Sequence, residues 1–254
     1  TQAVMAAGFG EADNTTNLGG KYGGYSGSDL DNWYCETQVG AYGEFCGGTA
    51  SISDGLAFDY YYQTNAVPQT GSYAGVYVMA PGVTELAGNV SGLDVSGLTH
   101  VKFSLGQNQE WIDSGTNNFG VMLTMGTLYT DCRVQLWKAV ESTATSTTVQ
   151  EYSVALSDFA VAQDCGQGLS AAEALSQQTV AQFDIKANSG GSILATTDPV
   201  KEGANTSVDN GSGYYPTKFT LSGSVTFELI EDASEVTQAV MAAGFGEADN
   251  TTNL

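Results

Sequence analysis

The first eighteen residues, TQAVMAAGFGEADNTTNL, recur letter for letter as residues 237–254. Chance does not copy a segment of that length, so it reads as a joint between successive modules. Three origins fit: a tandem-repeat gene whose next unit begins at Thr237, an engineered copy of a terminal strand, or a neighbouring module's segment written as a continuation of this chain. Within the segment, Ala3, Met5, Ala7 and Phe9 alternate with Gln2, Val4, Ala6 and Gly8. That period predicts a strand with a Met/Phe face and small residues behind it, and Gly8 and Gly10 oppose a helix. Glu11, Asp13 and a Gly-rich lead, GGKYGGYSGSD (19–29), follow. A short, small-residue strand on a flexible lead suits exchange: it can leave its own domain and fill a groove in another. Ala3, Val4, Met5, Ala7 and Phe9 are therefore candidate joining residues, with Ala239, Val240, Met241, Ala243 and Phe245 as their copies. The organisation expected is a joining strand at 1–18, one domain at 19–236 and a second joining strand at 237–254.

The body of the chain alternates short apolar-periodic runs with Gly, Asn, Asp and Ser clusters, which predicts strands near 49–53, 56–63, 73–80, 98–105, 118–125, 132–139, 149–156, 179–187 and 217–230. In THVKFSL, Val101, Phe103 and Leu105 point one way and His100, Lys102 and Ser104 the other, so one face is core and one is wet. Only SAAEALSQ (170–177) reads as a helix. Without βαβ alternation, the expectation is an all-β antiparallel sandwich, or jelly roll, with one short helix and exchangeable terminal strands.

Composition narrows the function. With 7 basic against 28 acidic side chains the formal charge is −21, and Arg133 is the chain's single arginine, so a grip on nucleic acid is excluded. No apolar run is long enough to span a membrane as a helix. The first residues lack a charged lead and apolar stretch, so any secretory leader is expected to have been removed already. Gly, Ser, Thr, Asn and Gln replace the paired charges of a cytosolic surface, and four cysteines fall into two near pairs, Cys35 with Cys46 and Cys132 with Cys165. Two local disulfides and an extracellular or cell-surface location are expected.

The succession GLDVSGLTHVKFSL (92–105), FGVMLTMG (119–126), EYSVALSDF (151–159), TVAQFDIKA (179–187) and VTFEL (225–229) resembles the galactose-binding-like β-jelly rolls that serve as carbohydrate-binding modules. The resemblance covers roughly 20–236 and rests on hydrophobic spacing. It implies the sandwich fold and polysaccharide as a partner. The family's closing "D-i-f" element is replaced here by Thr226, Phe227 and Glu228, which weakens the implication of its structural cation.

Catalysis finds little footing. His100 is the only histidine and stands in mid-strand, no GxSxG motif is present, and acid pairs such as Asp29 with Asp31 carry no spatial information in sequence. No enzymatic activity is expected. A sugar site needs an aromatic face and fixed hydrogen-bonding groups, for which His100, Lys102, Arg133, Gln135 and Trp137 are the candidates, with Trp111, Tyr60, Tyr62 and Tyr77 as further platform rings. The bland reading of the same residues is ion pairing with nearby acids and aromatic core filling. Calcium favours acidic, Gly/Asn-rich loops, so GEADN with Glu11 and Asp13, and GSDLDN with Asp29 and Asp31, are candidate ligand clusters. Sequons at Asn14, Asn89, Asn205, Asn210 and Asn250 are potential glycan sites.

Two functions compete, and the structural one ranks first because a perfect terminal repeat needs a reason that a lone sugar-binding module does not supply. The first is a structural subunit of an extracellular filament, assembled head to tail with copies of itself through the repeated segment. The second is a secreted carbohydrate-binding module.

Overall fold

The computed structural model describes residues 1–9, 14–27, 37–40, 43–46, 49–51, 55–63, 73–107, 109, 112, 118–187 and 214–231. Fourteen strands lie in these stretches: β1 (Gln2–Ala6), β2 (Tyr22–Gly27), β3 (Thr37–Gly40), β4 (Gly43–Cys46), β5 (Thr49–Ser51), β6 (Gly55–Gln63), β7 (Tyr73–Met79), β8 (His100–Gln107), β9 (Asn118–Tyr129), β10 (Cys132–Glu141), β11 (Gln150–Ala155), β12 (Ala160–Gln163), β13 (Val180–Ala187) and β14 (Tyr214–Glu228). They form two six-stranded antiparallel sheets and a small hairpin, β3-β4. The first sheet runs β11-β8-β14-β6-β5 with β1 beside β14, and the second runs β12-β10-β9-β13-β7-β2. This is the antiparallel β-sandwich the periodicity implies.

Each sheet turns one set of alternating side chains inward. Val101, Phe103 and Leu105 from β8 meet Phe119, Val121 and Leu123 from β9 and Phe183 and Ile185 from β13, all at most 1% exposed. Phe103 stacks on Tyr152 at 5.5 Å and meets Phe119 edge-on at 6.0 Å, so aromatic packing bridges the sheets at mid-sandwich. The expected helix is present as α1 (Ala171–Gln177), and a single 3-10 turn spans Leu156–Asp158. Ser170 and Glu173 close a reciprocal capping box at its start, and Ala174 and Leu175 turn into the core.

The terminal segment departs from simple alternation. Residues Gln2, Ala3, Val4 and Ala6 pair with Glu228, Phe227, Thr226 and Val225 of the same chain's β14, and the register shifts between Val4 and Ala6. Met5 sits at that bulge, so Met5 and Ala6 are both fully buried while Ala7 is exposed, instead of Ala7 sharing the face of Met5. Phe9 packs edge-on against Tyr22 at 5.3 Å. β1 takes over from β6, which pairs with β14 only up to Leu221. The segment thus completes its own domain here, and the copy at 237–254 lies outside the described residues.

Cys132 and Cys165 are bonded, with Cα atoms 5.7 Å apart, which ties the start of β10 to the loop after β12. The Cys35–Cys46 expectation lies outside the described residues, since Cys35 is not among them. No helix among the described residues is long and apolar enough to cross a membrane.

Candidate functional site

The five residues expected to form a sugar site do not come together. His100 and Lys102 stand on β8 of the first sheet, whereas Arg133, Gln135 and Trp137 stand on β10 of the second, with the core between them. Alternation places a residue on the outer face of its sheet but says nothing about which sheet a strand joins.

Three of the five are also committed elsewhere. Arg133 is 7% exposed, and its guanidinium donates to the carbonyl oxygens of Met125 (3.5 Å), Gly126 (2.5 Å), Leu86 (3.1 Å) and Gly88. It clamps the 86–88 loop against β9, and burial pushes its pKa down. Lys102 pairs with Glu228 at 2.9 Å. That hydrogen bond and the charge behind it raise the Lys102 pKa, and the same hydrogen bond leads the lowering of the Glu228 carboxyl. His100 Nδ1 lies 2.8 Å from Thr99 Oγ1, in the lining of a cavity of about 400 Å³ whose walls mix aliphatic side chains such as Leu98, Leu156 and Leu175 with the hydroxyls of Ser96, Ser157 and Ser176. No Phe, Tyr or Trp is in that lining to stack on a pyranose ring.

The outer face of the second sheet is built differently. Its pairings place one row across the strands: Ala160 on β12, Trp137 on β10, Met122 on β9, Asp184 on β13, Tyr77 on β7 and Gly23 on β2. A Cβ on Gly120 would meet the benzo edge of the Trp137 indole at 1.4 Å, and a Cβ on Gly23 would meet the Tyr77 ring at 2.8 to 2.9 Å. Each ring therefore lies over the backbone of the adjacent strand, in space that only glycine leaves open. Between the rings, Asp184 is 1% exposed although it is on the outer face. Gln182, two residues along β13, donates to both Asp184 carboxylate oxygens at 3.0 Å. Burial raises the Tyr77 phenol, with the Asp184 charge adding to the effect, and burial lowers the Lys186 ammonium against the opposing pull of Asp184.

Gln135 pairs across from Thr124 and donates to its hydroxyl at 3.5 Å, so polar groups flank the aromatic row. Of the residues singled out in the sequence, Trp137, Gln135 and Tyr77 stand on this face. Sequence reasoning missed Asp184, Gln182, Lys186 and the two glycine seats. The available signal was glycine inside strand-like runs, in YGGYS and NFGVM, where it marks close approach rather than a turn. Tyr60, Tyr62 and Trp111 carry no described side chains, and Glu11, Asp13, Asp29 and Asp31 lie outside the described residues. Among the described residues no cluster of three or more His, Cys, Asp or Glu is placed to hold a metal ion.

Together these features define an antiparallel β-sandwich with one polar, aromatic sheet face. No family model matches the sequence, and no curated protein matches it. Among solved structures, the chain is similar to a family 11 carbohydrate-binding module from Clostridium thermocellum in complex with a β-1,3-1,4-mixed-linked tetrasaccharide, at 11% identity and a TM-score of 0.42 over 91% of this chain and 99% of that one. The family 11 module of the cellulosomal cellulase Lic26A-Cel5E of the same organism gives 11% identity and a TM-score of 0.41, over 91% of this chain and 97% of that one. A sialidase gives 10% identity and a TM-score of 0.27, over 82% of this chain and 20% of that one.

Proposed function

We propose that the outer face of the second sheet binds a polysaccharide segment laid across its strands. The observation that carries this reading is the row of Trp137, Met122, Asp184 and Tyr77, in which the two outer rings each lie over a glycine. Three strand spacings separate the rings' strands, roughly 14 Å at ~4.8 Å per spacing, a span suited to an oligosaccharide rather than a single sugar. The rings offer apolar surface to pyranose C–H faces, while Gln135, Gln182 and Lys186 offer hydrogen bonds to hydroxyls. The reading is of binding without catalysis, in an extracellular setting. Affinity electrophoresis through neutral soluble polysaccharides tests it: the unaltered protein should be retarded, and Trp137→Ala should run free. No retardation by any neutral polysaccharide overturns the reading.

A second reading, head-to-tail assembly at a cell surface, is favoured by the docking of β1. Met5 is fully buried beside β14 and Phe9 packs on Tyr22, and 237–245 repeats 1–9 residue for residue. Calcium at the GEADN and GSDLDN segments would reduce repulsion between modules of this charge. Negative-stain microscopy with and without calcium tests both ideas: filaments support the reading, and dispersed particles in both conditions oppose it.

A further inference from the structure

We infer that the slot beside the last residues of β14 is a binding site for residues 238–245 of a second copy of this chain, which enter by displacing β1. This rests on the assembly reading and specifies its partner, its register and its first step.

The slot is local and well defined. β6 leaves β14 at Leu221, Gly223 turns through a left-handed φ of 68°, and β1 then occupies the same side of β14 opposite Val225 to Glu228. Its occupant is held by four register pairs, by the buried Met5 and Ala6, and by Gln2 Nε2 donating to Glu228 at 3.1 Å. Every one of these groups recurs in the copy: Gln238, Ala239, Val240, Met241 and Ala242 stand for Gln2 to Ala6. The same slot therefore accepts Gln238 opposite Glu228 and Ala242 opposite Val225, with Met241 in the Met5 seat. Each chain carries this sequence twice, while the described residues contain one slot, now filled by β1.

The connecting residues argue for a second copy over the chain's own slot. Thr1 and Thr99 hold residues 229 and 230 at the sheet end, through Leu229 N–H to the Thr1 carbonyl (3.0 Å) and Ile230 N–H to Thr99 Oγ1 (2.9 Å). The sequence that follows, EDASEV (231–236), carries Glu231, Asp232 and Glu235 and no cation. Clustered like charges self-repel and extend a linker, which favours reaching a neighbouring copy over folding the nine-residue connection back onto the chain's own slot. Ten Cα steps separate Glu228 from Gln238, so partnered slots lie no more than roughly 35 Å apart.

The test uses full-length variants, with mass by light scattering and thermal melting. Met5→Asp ejects β1 and leaves 238–245 intact. It should melt within about 3 °C of the unaltered protein and form reciprocal dimers or longer chains, whereas Met241→Asp should be unaffected in stability. The double variant Met5→Asp/Met241→Asp should lose about 6 °C or more, and a synthetic peptide of residues 1–18 should restore it. Rescue by the peptide confirms that the slot itself is intact. If Met5→Asp alone melts as low as the double variant, the copy does not use the slot and the inference falls. If Met5→Asp keeps its stability but stays monomeric at every concentration, the chain's own copy fills the slot and the second-copy occupant is overturned. If Met5→Asp assembles while the unaltered protein never does, the slot stands and the reading of native head-to-tail assembly fails.

Discussion

The outer faces of the two sheets were made by the same chain under the same charge, and they differ in kind. On the first sheet, Lys102 reaches Glu228 and His100 lies against Thr99, so polar groups on a wet face are satisfied by near neighbours. On the second, Asp184 and Thr124 are at most 3% exposed and Met122 8%, and two aromatic rings lie over glycines. Burying a carboxylate on an outer face costs free energy unless it is paired, and glycine inside a strand weakens the strand. Here the Asp184 carboxylate is paired with Gln182, and the two glycines are seats for aromatic rings. The contrast is between a face whose described polar groups are tied up by short local contacts and one on which aromatic rings lie over glycines, the face proposed above to bind polysaccharide.

Four changes, and one control at His100, break or sharpen that contrast, the four in falling order of effect. Replacing Cys132 and Cys165 by serine releases β10 from the loop after β12, at the edge of the second sheet. Chain-entropy arguments for a loop of this size give a loss of roughly 3–4 kcal/mol, read as a lower denaturation midpoint, while polysaccharide binding below that midpoint should survive. Trp137→Ala should weaken binding about 30-fold or more, the scale of an anchoring aromatic, with the melting temperature nearly unchanged. His100→Ala, on the other sheet, should leave binding as it was. Gly120→Ala should push the indole off its seat, destabilise the domain by about 1–3 kcal/mol and weaken binding without touching a ligand-facing atom. The smallest effect is the pH response of the first sheet. Because the folded Glu228 carboxyl titrates below its unfolded value, its contribution is present above the ordinary carboxylate range and is lost as pH falls through the folded value. Lys102, raised in the folded state, contributes below its unfolded value and loses that contribution in strong alkali. Lys102→Met should remove the alkaline limb from a melting-temperature profile against pH and shrink the acid limb, part of which remains because Gln2 and the N-terminal ammonium also hold the Glu228 carboxyl down, and an unchanged profile would show the pair to be inert.

Much of the sandwich could be read from the chain. Period-two alternation in β8 and the helical run SAAEALSQ (170–177) are local signals, and both correspond to what the structure contains. β2 was hidden because YGGYSG looks like a flexible lead. Its glycine at position 23 makes room for the Tyr77 ring, and Tyr22 anchors the strand at 1% exposure. Met5 and Ala6 facing inward together required knowing the bulge opposite Val225 and Thr226, which depends on a strand more than 200 residues away. The grouping of His100 and Lys102 with Trp137 failed for a related reason. Outward direction is set by a strand's own sequence, but the assignment of strands to sheets is set by long-range pairing. Arg133 illustrates the bias of reading a lone arginine as a ligand-binding group, when four backbone carbonyls of a loop and a strand were its partners.

The central claim is that the second sheet's outer face is the ligand surface, and backbone amide chemical-shift mapping tests it most directly. Titrating the full-length protein with a neutral soluble polysaccharide should move the signals of residues around Tyr77, Gly120 to Thr124, Gln135 to Trp137 and Gln182 to Lys186, and leave His100 and Lys102 still. Shifts centred on His100 and Lys102, or no shifts at saturating polysaccharide, would contradict it.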